Sequence, residues 1–362
     1  MPLDEDLAAW LRLSLTPGLG GTGLRRLLAA FGDPQRALAA GRTALAHHVP
    51  AAVAAAIKEG ASGPSVAAVG AWLDDPANRV VTLADADYPQ QLLQIPDPPP
   101  QLYVKGRLDL PSRPALAIVG SRNATAQGAA NAEAFAKALS DAGLTVVSGL
   151  ALGIDAAAHR GGLAGRSSSI AVLGTGPDIV YPARNRALAH ELAARGALVS
   201  EFPLGTRPLA GNFPRRNRLI SGLARGCLVV EAAADSGSLI TARFAAEQGR
   251  EVFAIPGSIH SPLAKGCHAL IKQGAKLVES AEDILEELRL PAARAAAPAG
   301  GAATDARAQR LLDALGHDAQ DPDTLAERSG LAAAEVAALL TQLELDGLVA
   351  ALPGGLYQRV PR

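Results

Sequence analysis

A chain of 362 residues with 49% hydrophobic content has room for two or three domains with filled cores, and its formal net charge of −1 makes any cluster of one sign a local feature. Aromatic residues make up 3% of the chain, which argues against an extended base-stacking platform. Two distant cysteines, Cys227 and Cys267, without a C-x-x-C motif argue against structural zinc and for a reducing compartment. The acidic N-terminus lacks the apolar core of an export signal, and no apolar run is long enough to span a bilayer. A cytoplasmic protein with no membrane span and no metal is expected.

Residues 1–65 read as a helical domain. Leu7, Leu11 and Leu15 form an apolar stripe, and Pro17-Gly18-Leu19-Gly20-Gly21 turns the chain into a second helix. This turn resembles a helix-hairpin-helix, whose glycine amides contact phosphate; an ordinary connector in a small bundle is the simpler reading. Residues 78–101 read as a connector with a proline-dense end, and 102–105 as a strand. From Pro114 the pattern becomes strand, glycine-rich turn, helix, repeated. Apolar runs at 115–119, 144–147, 169–173, 197–200, 228–230 and 252–255 each precede a helical segment, and 277–278 is a last short run. Such alternation over 78–290 predicts an α/β domain with a parallel, doubly wound sheet, whose ligands bind beyond the strand C-termini. Residues 291–304, rich in Pro, Ala and Gly, read as a linker. Residues 305–362 read as three helices and a small hairpin, a winged-helix-like order.

The stretch 202–230 holds Arg207, Arg215, Arg216, Arg218 and Arg225 and no acidic residue. Pro208, Gly211 and Pro214 keep its first half in a loop, so a helix is expected to start near Arg215. Three arginines at a loop-to-helix junction, joined by first-turn amides, attract phosphate or carboxylate. A second basic window, with Lys265, Lys272 and Lys276, lies between Glu251 and Glu279. Arg122, Gly149, Gly174, Glu231 and Gly257 all follow strand ends, so the topology gathers them, the basic loop and Lys265 on one rim. Ser236-Gly237-Ser238 adds hydroxyls and amides at a helix start.

Rival chemistries fail on spacing. Gly174-Thr175-Gly176 is followed by Pro177, with Ile179 where a dinucleotide fingerprint needs glycine, and Gly120-Ser121-Arg122 has no second glycine in register. No phosphate-binding G-x-x-x-x-G-K-[ST] occurs. Asp155 and His159, four apart, read as a helix-stabilising pair rather than an acid–base couple. Glu231 has no evident partner, and no activated nucleophile is recognisable.

Six motifs occur in order: Ile118-Val119-Gly120-Ser121-Arg122, Ser148-Gly149-Leu150-Ala151, Gly153-Ile154-Asp155-Ala156, Phe213-Pro214-Arg215-Arg216-Asn217-Arg218, Gly237-Ser238-Leu239-Ile240-Thr241-Ala242 and Pro256-Gly257-Ser258. Together they resemble the DprA/Smf family of DNA-processing proteins over residues 78 to about 290. The resemblance implies an extended Rossmann-like core and a homodimer without established catalysis. It also implies binding of single-stranded DNA and loading of the recombinase RecA during natural transformation. Carried onto this chain, the motif cations are Arg122, Arg216, Arg218 and Lys265. Leu152 stands where family members usually carry Arg, which shifts the burden to 215–218. The candidate nucleic-acid contacts are Ser121, Arg122, Gly149, Phe213, Arg215, Arg216, Arg218, Ser238, Thr241 and Lys265. Phe213 is a stacking candidate, though a core Phe is an equally simple reading. No cofactor is expected.

An alternative on the same sheet is a nucleoside-monophosphate phosphoribohydrolase, which carries a catalytic Glu just after its glycine-threonine loop. Here Ala242 and Arg243 follow Thr241, so that carboxylate is missing. The C-terminal module carries nine acidic residues and three arginines between 305 and 350, and its third helix has no basic residue. A helix that reads duplex DNA needs cations for phosphate, so a protein-contact module, or a dispensable one, is expected rather than a duplex reader.

Overall fold

The computed structural model describes residues 3–60, 63–290, 306–316 and 318–360. The expected linker at 291–304 lies outside the described residues. Six helices open the chain: α1 (Glu5–Ser14), α2 (Gly20–Phe31), α3 (Pro34–Ala39), α4 (Arg42–Ala46), α5 (Ala51–Glu59) and α6 (Gly63–Leu73). Asp4 caps α1 and Asp33 caps α3, each accepting a first-turn amide. Trp10, Leu13, Leu24, Leu27, Leu45 and Ile57 form the core of this bundle. The helical region therefore continues beyond residue 65. The Pro17–Gly21 turn does not present a bare loop: Gly21 sits against the Pro100 ring, and Arg25 of α2 pairs with Asp97 and donates to the Pro98 carbonyl at 2.6 Å. It docks the bundle on the proline-dense segment, as a connector does.

Residues 78–101 are not only a connector. They contain β1 (Asn78–Thr82) and α7 (Gln90–Leu93), and β1 pairs antiparallel with β2 (Gln101–Gly106), Val80 opposite Tyr103. A five-residue strand that reads NRVVT, with Arg79 inside it, carries too little alternation to stand out. The repeating unit then follows: β3 (Ala115–Val119), α8 (Ala126–Asp141), β4 (Thr145–Ser148), α9 (Ile154–Ala164), β5 (Ser169–Val172), α10 (Arg186–Arg195), β6 (Ala197–Ser200), α11 (Asn212–Gly222), β7 (Gly226–Val229), α12 (Ser238–Glu247), β8 (Glu251–Ala254), α13 (Lys265–Lys272), β9 (Lys276–Leu277) and α14 (Ala281–Glu287).

The nine strands lie in the order β1-β2-β6-β5-β4-β3-β7-β8-β9. β3 through β9 are parallel, and β2 joins β6 antiparallel. Successive strands step outward from β3 in one direction to β6, then return and step the other way from β7. The switch point of this doubly wound sheet thus lies between β3 and β7. Alternate residues of β3 serve the two faces: Ala115, Ala117 and Val119 meet Leu219, Ile220 and Ala242 of α11 and α12, while Leu116 and Ile118 meet α8, α9 and α14. Both cysteines are buried and free. Among the described residues no helix is long and apolar enough to cross a membrane, and no His/Cys/Asp/Glu group has a metal-holding arrangement.

The C-terminal residues form α15 (Ala306–Leu315), α16 (Pro322–Ser329), α17 (Ala333–Leu345) and the hairpin of β10 (Val349–Leu352) and β11 (Leu356–Arg359). Leu311, Leu312, Leu325, Val336, Leu340 and Val349 close its small core.

Candidate nucleic-acid interface

A cavity of about 750 Å³ opens at the switch point, beyond the C-terminal ends of β3, β4 and β7. Its walls come from dispersed segments: Ser121, Arg122 and Asn123 after β3, Ala151 and Asp155 after β4, Tyr181 after β5, and Ser236, Gly237, Ser238, Ile240 and Thr241 after β7. α11 closes one side.

The arginine cluster is sorted by helix geometry. α11 begins at Asn212, three residues earlier than expected, with Pro214 in the first turn, where a missing N–H leaves no helical bond unmade. Phe213, Arg216, Asn217 and Ile220 then share the cavity face at spacings of three, four and seven. Arg215 and Arg218 lie on another face and both reach Glu201, at 3.2 and 2.6 Å. Arg218 is 8% exposed and also faces Asp97, Nε to Oδ2 at 3.4 Å. Two carboxylates therefore hold Arg218 inside the fold, and it does not line the cavity that the expected nucleic-acid contacts Arg122 and Arg216 share. Arg215 keeps half its side chain in solvent, over the Phe202 ring, but does not line the cavity.

Arg216 builds the cavity floor. Its Nη1 donates to the carbonyls of Gly149, at 2.6 Å, and of Val172. Gly149 is needed there, because a Cβ would lie 2.6 Å from that same Nη1. Gly149 thus seats Arg216 rather than lining the cavity itself. Burial pushes the Arg216 guanidinium down to about 10, so it remains charged at neutral pH. Asp155 does not pair with His159. Its Oδ2 accepts the amides of Gly149 and Ala151 at 3.1 and 3.2 Å. Burial raises its carboxyl, and Arg216 and the two amides oppose that shift. His159 is buried and holds Ser169 Oγ at 2.7 Å through Nδ1, and burial pushes it down to about 3, so it is neutral. The 149–153 turn is held from outside by Asn185, whose amide donates to the Leu150 and Ala151 carbonyls. Leu150 is kept there at φ 60°, a left-handed backbone that costs about 1–3 kcal/mol and is retained where surroundings over-determine it.

The rim carries exposed groups. Arg122 is exposed on the cavity edge and makes no hydrogen bond or ion pair among the described residues. Phe213 is half-buried, not a core residue, and Tyr181 lies 5.5 Å from it, ring to ring, and is 48% exposed. Sequence reasoning missed Tyr181, because its loop lies far from the arginine motif in the chain. It also missed Asn123 and Asn217 as lining residues, although both sit inside the quoted motifs' reach. Ser121 accepts the Asn123 amide, and Ser236 and Ser238 hold each other at 2.8 Å. Glu231 does find a partner: its carboxylate accepts the Thr125 amide at 3.0 Å and hydroxyl at 2.6 Å, tying β7 to the start of α8 across the switch point. Lys265 starts α13, donates to the Ile259 carbonyl at 2.5 Å and lies outside the cavity. Of the ten candidates, Ser121, Arg122, Phe213, Arg216, Ser238 and Thr241 meet at one cavity.

Fold and cavity together define a Rossmann-type α/β protein with two arginines, a helix start and an aromatic pair at its switch point. The family model for DNA recombination-mediator protein A matches residues 79–289, and that for the DprA winged helix domain matches residues 294–355. The chain belongs to the DprA/Smf family. It is 46% identical to Protein Smf of Escherichia coli over 299 residues, covering 80% of each chain. It is 48% identical to DNA processing protein DprA of Streptococcus pneumoniae over 206 residues, 57% of this chain and 73% of that one. The solved structure of the Streptococcus pneumoniae protein aligns with a TM-score of 0.67 at 37% identity, over 79% of this chain and 99% of that chain. DNA processing protein A from Helicobacter pylori, solved for its single-stranded DNA binding mode, aligns with a TM-score of 0.53 at 28% identity, over 58% of this chain and 96% of that one.

Proposed function

We propose that this chain is a non-catalytic recombination mediator of the cytoplasm: it binds single-stranded DNA at the switch-point cavity and passes the strand to a RecA-type recombinase, working as a homodimer. The carrying observation is that Arg122 and Arg216 share one cavity with the Phe213–Tyr181 pair. Arg122 on the rim meets phosphate, the Arg216 charge on the floor adds to the field, and an aromatic pair at the mouth stacks an unpaired base without reading its sequence. The family membership and the Helicobacter pylori relative support the same reading. The hydrolase alternative lacks its carboxylate at the start of α12, and Asp155 already has two backbone amides on one oxygen.

A salt titration tests the core of this proposal. With one to two phosphates neutralised by Arg122 and Arg216, log affinity for an oligonucleotide should fall with log salt at a slope near ~1. Duplex of the same sequence should bind more weakly, and a slope near zero would remove the phosphate site. RecA loading is tested by filament assembly on protein-coated strands, and dimerisation by light scattering; a monomer that speeds no assembly would leave binding alone.

We assign the winged-helix module to protein contact, because α17 carries Glu335 and Glu344 and no cation. Removing residues 291–362 should leave single-strand affinity within about twofold, since an acidic module releases no counterions from DNA. A much larger loss would place the module on the strand.

A further inference from the structure

A phosphate track needs only cations along a groove. The switch-point cavity has more. Its volume of about 750 Å³ lies within the range of small-ligand sites. It extends from Asp155 at the end of β4, across β3, to Ser236 and Ser238 at the end of β7. Two strand spacings make that span roughly 10 Å, the reach of one nucleotide rather than one phosphate. Ile220 and Ile240 supply apolar wall between the ends.

The two ends differ chemically. The β7 end is free of carboxylate lining and rich in donors. α12 is a ten-residue helix whose N-cap Gly237 offers no side chain; Ser236 Oγ takes the Ser238 amide, and the helix dipole still places partial positive charge at this end. A second, independent feature points the same way. Thr241, one turn in, is 2% exposed, lines the cavity, and its hydroxyl makes no hydrogen bond among the described residues. At the β4 end Arg216 is 5% exposed, uses Nη1 on two carbonyls, and leaves Nη2 without a bond among the described residues. Donors that have no protein partner on a cavity wall are open to a ligand's acceptors, and the Arg216 Nε is buried without a partner among the described residues. Asp155 beside Arg216 would repel phosphate. It suits the N–H donors of a base, while Arg216 suits a base carbonyl or ring nitrogen.

We propose that the cavity is a whole-nucleotide site that takes a nucleoside 5′-monophosphate, with the phosphate at the start of α12 beside Arg122 and Thr241 and the base toward Asp155 and Arg216. This deepens the single-strand reading above and rests on it for the choice of ligand class. The same chemistry has two sources, a free nucleotide or the 5′-phosphorylated end of a strand.

The test uses the full-length protein. Calorimetry compares dAMP and dGMP with deoxyadenosine and with inorganic phosphate, and each is also used to displace a fluorescent 5′-hydroxyl oligonucleotide. The nucleotides should bind about tenfold or more tighter than either fragment, because only they engage both ends. Thr241→Val, which keeps the side-chain volume, should weaken nucleotide binding about tenfold with an unchanged melting temperature, the effect of losing one hydrogen bond to a charged group. Tighter binding of a 5′-phosphorylated oligonucleotide than of its 5′-hydroxyl form assigns the site to strand ends; equal binding assigns it to free nucleotide. Nucleotides that bind no better than inorganic phosphate, or a Thr241→Val variant of undiminished nucleotide affinity, would overturn the inference. If the 5′-hydroxyl oligonucleotide still binds in that case, only the whole-nucleotide site falls; if it never binds, the single-strand reading falls as well.

Discussion

Arg122→Ala is expected to weaken single-strand binding about ten- to a hundredfold, the range for losing a charge-assisted contact of roughly 1.5–3 kcal/mol. The expectation rests on what Arg122 lacks: no ion pair or hydrogen bond among the described residues engages it, and it stands exposed on the cavity edge. For the same reason the melting temperature should not move, since surface side chains without structural partners contribute little to stability. The slope of log affinity against log salt should drop by about 0.7, one phosphate's share for a single strand. Arg122→Lys should recover much of the slope, because Lys also neutralises one phosphate, and less of the affinity, because it lacks the planar fork. Fluorescence anisotropy at several salt concentrations reads all three. An Arg122→Ala protein with native affinity and native slope would sink the proposed interface.

The sheet was legible because β3 to β7 are short buried runs, and β3, β4 and β5 are closed by glycine turns. Both cues are local, and 115–119 and 197–200 were placed to the residue. β1 was not, since its pairing with β2 is decided by packing against Leu11 and Val69 of the N-terminal bundle, not by its own pattern. At the site, strand-end position was enough to bring Ser121, Arg122 and Ser238 together. The arginine motif was legible in composition only. Which arginine faces the cavity depends on the phase of α11 and on Glu201, a carboxylate just outside the basic stretch whose burial no local pattern announces. Asp155 and His159 show the same limit. Their spacing allows a pair, but the tight turn at Gly149 and Ala151 presents two amides nearer to Asp155.

Arg218→Ala should therefore act on the fold and not as a clean binding mutation. The side chains of Arg218 and Glu201 are 9% and 3% exposed and 2.6 Å apart. Removing Arg218 leaves the buried Glu201 with only the half-exposed Arg215 as a partner, a loss approaching the roughly 3–5 kcal/mol of a broken buried pair. Arg218 also faces Asp97, which pairs with Arg25 of α2, so the variant should loosen the docking of the N-terminal bundle as well. The pH dependence gives the signature. Burial already raises the Glu201 carboxyl, and Arg218 is the largest influence holding it down. Without Arg218 the folded-state carboxyl rises further above its unfolded value. A carboxyl raised on folding contributes stability below its unfolded value and loses it as pH rises through the folded one. The variant's deficit against the native protein should thus grow from mildly acidic to neutral pH. The double variant Arg218→Met/Glu201→Leu removes both charges and should recover most of the loss, as buried pairs replaced by apolar groups of similar volume do. Urea unfolding of the three variants at two pH values decides it. A native-like Arg218→Ala that has lost strand affinity would return Arg218 to the interface.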